Sequence, residues 1–135
     1  MQNKKTAIVT GAAKGIGREI TKRLVSDGFF TVIVDIDKTA GESLANEFGE
    51  ENAQFISCDI SKEEDVKALF LKVIKEHQRL DALVNNAGII RDNMIHKMPV
   101  ENFDMVININ LKGTWLMCRE AAITMREQKA GRIVN

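Results

Sequence analysis

Three glycines in Thr10-Gly11-Ala12-Ala13-Lys14-Gly15-Ile16-Gly17 follow directly on the apolar run Ala7-Ile8-Val9 and precede a helical pattern. A strand that hands its last residue to a turn without side chains lets backbone N–H groups approach phosphate oxygens. The helix behind it aims its positive N-terminal end at the same anion. That is the chemistry of a dinucleotide pyrophosphate site, with Gly11 supplying the turn, Gly15 the close approach and Gly17 the helix–strand packing. The spacing is G-x-x-x-G-x-G rather than G-x-G-x-x-G, so these roles are assigned by analogy with the commoner motif. The candidate cofactor-binding residues of the loop are Gly11, Ala13, Lys14, Gly15, Ile16 and Gly17. Taken alone, the loop also reads as a glycine-rich turn with no ligand.

Asp35 closes the second apolar run, where a carboxylate can accept hydrogen bonds from the adenosine ribose hydroxyls. It argues for NAD, because a 2′-phosphate would meet like charge at short range. Lys14 argues the other way, since a lysine inside the loop can pair with a 2′-phosphate, so NADP stays open as a second choice. A helix cap is the alternative role for Asp35, one that Asp37 could serve equally well. Asp59 and Ile60 end the third run, the carboxylate placed to accept from the adenine amino group and the Ile60 N–H to donate to the ring. Ser61-Lys62-Glu63-Glu64 reads as a capping box, which would leave Asp59 free for that task. Asn86, Ala87 and Gly88 follow the fourth run and let the backbone lie flat against a ribose, whereas Asn85 reads as a cross-link between strands.

The elements that must position these residues alternate. Ala7–Thr10, Thr31–Val34, Gln54–Ser57, Ala82–Asn85 and Arg132–Val134 read as short buried strands. Between them run helical stripes: Ile16, Ile20 and Leu24 ahead of Gly28; Ala40, Leu44, Ala45 and Phe48 ahead of Gly49; and Val66, Leu69, Phe70, Val73, Ile74 and His77. A helix from Pro99 and a longer one from about Asn108 precede the last strand. Strand–helix alternation implies an α/β fold, a doubly wound parallel sheet between two helical layers, in one domain over residues 1–135. Its ligand crevice lies at the carboxyl ends of the strands.

With 19 basic and 19 acidic residues there is no electrostatic footprint for nucleic acid, and the apolar runs are too short to span a bilayer. The N-terminus lacks a signal-peptide pattern, so a cytoplasmic location is expected. Cys58 and Cys118 belong to no C-x-x-C pair and read as buried reduced thiols; His77 and His96 show no ligand spacing, so no metal site is expected.

The chain resembles the short-chain dehydrogenase/reductase family through Thr10 to Gly17, Asp59, Asn85-Asn86-Ala87-Gly88, Asn110-Leu111-Lys112-Gly113 and Gly131-Arg132-Ile133-Val134-Asn135. Gly88-Ile89-Ile90-Arg91-Asp92-Asn93 looks like the 3-oxoacyl-carrier-protein and acetoacetyl-CoA reductases. The resemblance implies a Rossmann fold and hydride transfer between nicotinamide and a thioester substrate. It implies that Asn110 is the active-site asparagine at a kink in the long helix; from the residues alone, Asn110 is equally an ordinary helix cap. The family's tyrosine, lysine and serine trio is missing, and the chain has no tyrosine at all. The expectation is therefore a sheet cut after about its fifth strand, inactive alone. A homo-oligomer is implied, a tetramer in the full-length family. Trp115, Leu116, Met117, Ile123 and Met125, short of neighbours, would favour self-association. Competing readings are a standalone nucleotide-binding or dimerisation module, and a dehydrogenase of sugars, polyols or steroid alcohols.

Overall fold

The computed structural model describes residues 4–135. Its elements run β1 (Thr6–Thr10), α1 (Gly15–Ser26), β2 (Phe30–Asp35), α2 (Lys38–Phe48), β3 (Ala53–Ser57), α3 (Glu63–His77) and β4 (Ala82–Val84). Then come α4 (Val100–Val106), a π-helical stretch (Ile107–Gly113), α5 (Thr114–Gln128) and β5 (Arg132–Val134). The five strands form one sheet in the order β3-β2-β1-β4-β5, with every pair parallel. The fold is thus the doubly wound α/β sheet that the alternation of patterns implies. The chain leaves β1 toward β2 and β3, then crosses back to β4 on the other side, so the order reverses between β1 and β4.

Alternate strand residues feed two cores, as a sheet covered on both faces requires. Val9 and Ile33 meet Leu44 and Ala53, with Ile20, Leu24 and Phe48 packed against them. Ile8, Val32 and Val34 meet Val66, Leu69, Phe70 and Val73 of α3 and Leu116 and Met117 of α5. Cys58 lies in this second core, and burial, aided by Asp65 and Asp59, pushes its thiol up to about 12. It stays protonated there. Cys118 departs from the expected burial: it is only partly covered.

Three helix readings need correction. Ile16 does not join the buried stripe of α1: it is 74% exposed, while Gly17 and Thr21 are buried and Ile20 and Leu24 pack against the core. The capping box does not form. The helix starts at Glu63 after Lys62, and Ser61 turns back so that both its N–H and its hydroxyl donate to Asp59 Oδ1, at 3.0 and 2.6 Å. Glu63, Glu64 and Asp65 complement the helix dipole in its place. Finally, the helices expected from Pro99 and Asn108 are one continuous run, α4 passing through the π-helical stretch into α5. Of the apolar side chains expected to lack neighbours, Leu116, Met117 and Met125 are buried within the chain, while Trp115 and Ile123 are more than half exposed.

Asp81 ties the sheet together just before β4. Its Oδ2 accepts from the Thr6 N–H at 2.8 Å and from Arg79 Nε at 2.8 Å, and its Oδ1 accepts from Arg79 Nη2 at 2.6 Å. Its backbone adds a bond on each side, to Thr6 O and from the Arg132 N–H. Burial alone would raise the Asp81 pKa, but the Arg79 guanidinium, the Thr6 N–H and Lys5 outweigh it and hold it below the ordinary value. A lowered folded-state pKa adds stability above the ordinary carboxylate range, and that contribution is lost as pH falls through it. Asp81→Asn is expected to cost about 1–2 kcal/mol at neutral pH. Urea unfolding should show the two proteins converging in acid.

Candidate functional site

The loop from β1 to α1 is shaped by contacts that exclude side chains. Gly11 has φ +59°, and a Cβ there would lie 2.9 Å from the Ala87 Cα. Gly17 is buried, and a Cβ would fall inside the Gly11 carbonyl and 2.6 Å from Asn86 Nδ2. Gly15 has φ +55° and nothing within 4 Å of its would-be Cβ, so open space faces the loop there. Ala12 and Ala13 are buried plugs whose N–H groups are spent inside the protein, on Val34 O and Asp35 Oδ2. Ala13 therefore holds the loop in place and has no N–H to offer outward. Helix α1 begins after Lys14 with no side-chain cap and no acidic residue in its first turn. Its first N–H groups have no partner within the helix.

At the end of β2, Asp35 and Asp37 share the work that the sequence left divided. Asp37 is the cap of α2, its Oδ1 accepting from the Ala40 N–H at 3.0 Å. Asp35 Oδ2 accepts from the Ala13 N–H at 3.1 Å and Oδ1 from the Asp37 N–H at 3.0 Å. An ionised carboxylate has about four acceptor positions, so two remain on Asp35. Lys14 Nζ lies 2.6 Å from Asp37 Oδ2, and that contact raises the lysine pKa and lowers the aspartate's.

Across the β1–β4 gap, the Thr10 hydroxyl accepts from the N–H groups of Asn86 and Ala87 at 3.1 and 3.0 Å. Asn86 Nδ2 returns the tie, donating to the carbonyls of Thr10 and Gly11 at 3.2 and 3.1 Å. The side chain of Asn86 thus braces the glycine loop and is not a free ligand group. Asn85 is the cross-link expected of it: Nδ2 donates to Asn135 Oδ1 at 2.8 Å and to Cys118 Sγ at 3.3 Å.

Asn110 does not cap a helix. It sits inside the π-helical stretch and clamps the backbone of Ile89, accepting from its N–H and donating to its carbonyl, both at 2.9 Å. A Cβ on Gly88 would lie 3.4 Å from Asn110 Oδ1, an ordinary contact, so Gly88 sits beside the clamp without having to be glycine for it. The Thr114 hydroxyl donates to the Asn110 carbonyl at 2.8 Å. Single π turns recur at functional sites. Asp59 closes the turn before α3, its Oδ1 accepting from the Ser61 N–H and hydroxyl and its Oδ2 lying 3.8 Å from Lys62 Nζ. It is therefore not the free carboxylate that a Ser61 capping box would have left. Ile60 is buried beneath Gly113. The loop, Asp35, Asp59, Asn86–Gly88 and Asn110 all lie at or beyond the carboxyl ends of the strands. Two features escaped the reading of the residues themselves: the Thr10 hydroxyl and the π-helical stretch, which lies where the family resemblance implied a kink at Asn110. A threonine ending a strand carries no local signal for a bond made across the sheet, and neither does a π turn within a helical pattern.

Residues 5–135 match the family model described as short chain dehydrogenase. The chain belongs to the short chain dehydrogenase family. Among curated relatives it is 42% identical over 134 residues to an uncharacterized oxidoreductase of Mycobacterium bovis, covering 98% of this chain and 54% of that protein. It is 36% identical to a 3-oxoacyl-[acyl-carrier-protein] reductase of Staphylococcus aureus and 38% identical to an acetoacetyl-CoA reductase of an Acinetobacter strain, each over 139 residues. Both alignments take in 100% of this chain and 56% of the relative. The chain therefore spans about half the length of the curated relatives it matches. Members of the short chain dehydrogenase family are NAD(P)-dependent oxidoreductases. No helix among the described residues is long and apolar enough to cross a membrane.

Proposed function

We propose that this chain is the dinucleotide-binding part of a reductase acting on 3-oxoacyl thioesters, with NAD as the preferred cofactor. One observation carries the cofactor reading: an uncapped helix N-terminus faces open space at Gly15, beside the point where the strand order reverses. A pyrophosphate fits there because the first-turn N–H groups of Ile16 and Gly17 lack intrahelical partners and no acidic side chain opposes the anion. Asp35, with two acceptor positions left, takes the ribose hydroxyls. Asp59 and the Ile60 N–H take the adenine, and the backbone of Asn86, Ala87 and Gly88 borders the second ribose. Lys14 and Ile16 flank the phosphates. Asn110 positions Ile89 and thereby the wall of the crevice nearest the reacting end.

When bound, the nicotinamide supplies a hydride. The thioester class rests on the resemblance of residues 88–93 and on the names of the two reductases above. A general acid must lie within hydrogen-bonding reach of the reacting oxygen, and the chain has no tyrosine to serve as one. The reading is therefore of binding without turnover, in a cytoplasmic protein that associates with copies of itself through apolar surface such as Trp115 and Ile123.

Titration of NADH and NADPH into the protein, followed by their own fluorescence, is expected to give saturable binding that is tighter for NADH. No saturation with either would overturn the cofactor reading. Steady oxidation of NADH in the presence of acetoacetyl-CoA would overturn the absence of turnover.

A further inference from the structure

Lys14 is the one cation in the loop from Gly11 to Gly17. It is the only group there that could welcome a 2′-phosphate, and it is already engaged. Its ammonium sits 2.6 Å from Asp37 Oδ2, while the other Asp37 oxygen receives the Ala40 N–H. The Asp37 N–H in turn donates to Asp35, and Asp35 receives the Ala13 N–H. These contacts close a ring from the loop after β1, through the end of β2, and back to the loop. We infer that Asp37 is a cofactor-choice residue that acts by holding Lys14 against the start of α2, away from the adenosine ribose. The inference rests on the dinucleotide reading of the site.

The ring explains how a chain with a lysine in its phosphate loop can still favour the cofactor without a 2′-phosphate. A phosphate placed beside Asp35 meets a second carboxylate two residues on, and the loop's one ammonium is already paired with it. Removing the Asp37 charge leaves Lys14 without its partner and free to turn toward the ribose. The exchange is accessible because the lysine side chain is 73% exposed and the pair lies at the surface. Surface pairs contribute little to stability, so the pair can be broken without loss of the fold. Asparagine in place of Asp37 keeps an oxygen to accept the Ala40 N–H, which preserves the cap of α2.

The test is a double-mutant cycle on the ratio of NADPH to NADH affinity, measured by titration for the wild type, Asp37→Asn, Lys14→Ala and the double variant. Asp37→Asn is expected to move the ratio toward NADPH about threefold to fivefold, the upper end of the scale of one exposed ion pair. With Lys14→Ala already present, the same change should move it less than about twofold. An unchanged ratio in Asp37→Asn overturns the inference. So does an equal shift with and without Lys14, which would mark a general charge effect. Melting temperatures within about 2 °C of the wild type would confirm that the cap survives. Failure of both dinucleotides to bind the wild type would instead overturn the reading on which the inference rests.

Discussion

Gly17→Ala is expected to destabilise the protein by at least about 3 kcal/mol and to remove saturable NADH binding. The added methyl would meet backbone, the Gly11 carbonyl, and then Asn86 Nδ2 at 2.6 Å. Neither neighbour is the loose end of a flexible side chain: Asn86 Nδ2 is held by the carbonyls of Thr10 and Gly11. Relief requires α1 to move away from the sheet, which opens the packing of Ile20 and Leu24 over Val9 and Ile33. The loop that presents the first N–H groups of α1 would move with it. Gly15→Ala separates the two consequences. Its Cβ meets nothing within 4 Å, so the cost in stability is limited to the positive φ, about 1 kcal/mol, while the methyl intrudes where the phosphates would approach. Urea unfolding and NADH titration of both variants check the pair. Gly15→Ala should bind poorly yet remain folded, and tight binding by Gly17→Ala would sink the account of the loop.

The contrast between these glycines shows which parts of the site were legible in the sequence. Their spacing beside a strand announced a turn, a close approach and a packing contact, because each of those depends on a missing Cβ within a few residues of chain. The five strands were legible as well, β1 and β2 because burial on both faces leaves a local apolar signature. Arg132–Val134, however, reads as a buried strand and is exposed throughout, since β5 is the sheet edge and pairs only with β4. Contacts set by tertiary position were not. Ser61 had the spacing of a capping residue, but Asp59 two residues earlier offered a charged acceptor, and the hydroxyl took that bond at 2.6 Å. Asp35 and Asp37 were interchangeable as cap and ligand on paper. Their roles divide only because the Ala13 N–H arrives at Asp35 from the neighbouring loop. Asn110 had the composition of a cap and became a clamp because β4 delivers Ile89 to its side chain.

Thr10→Val isolates one such long-range contact, and it is expected to cost about 2–4 kcal/mol and to weaken NADH binding. Valine matches threonine in shape, so the buried end of β1 keeps its packing and only the hydroxyl is lost. Both lone pairs of that hydroxyl are occupied, by the N–H groups of Asn86 and Ala87. Two backbone donors are then left with no acceptor in a partly covered turn, and an unsatisfied donor costs more than a bond that was never made. The turn after β4 loses its anchor to the glycine loop, so the crevice between them loosens. Thr10→Ser should restore most of the loss, because it returns the oxygen and removes only a methyl group. Thr31 provides the control within the same sheet. It is as fully buried as Thr10, but its hydroxyl oxygen has no partner, so Thr31→Val is expected to be neutral or stabilising. Equal losses at the two positions by urea unfolding would mean that the threonines matter for strand packing. A large loss at Thr10 alone would place the cost in the bonds that join the two halves of the crevice.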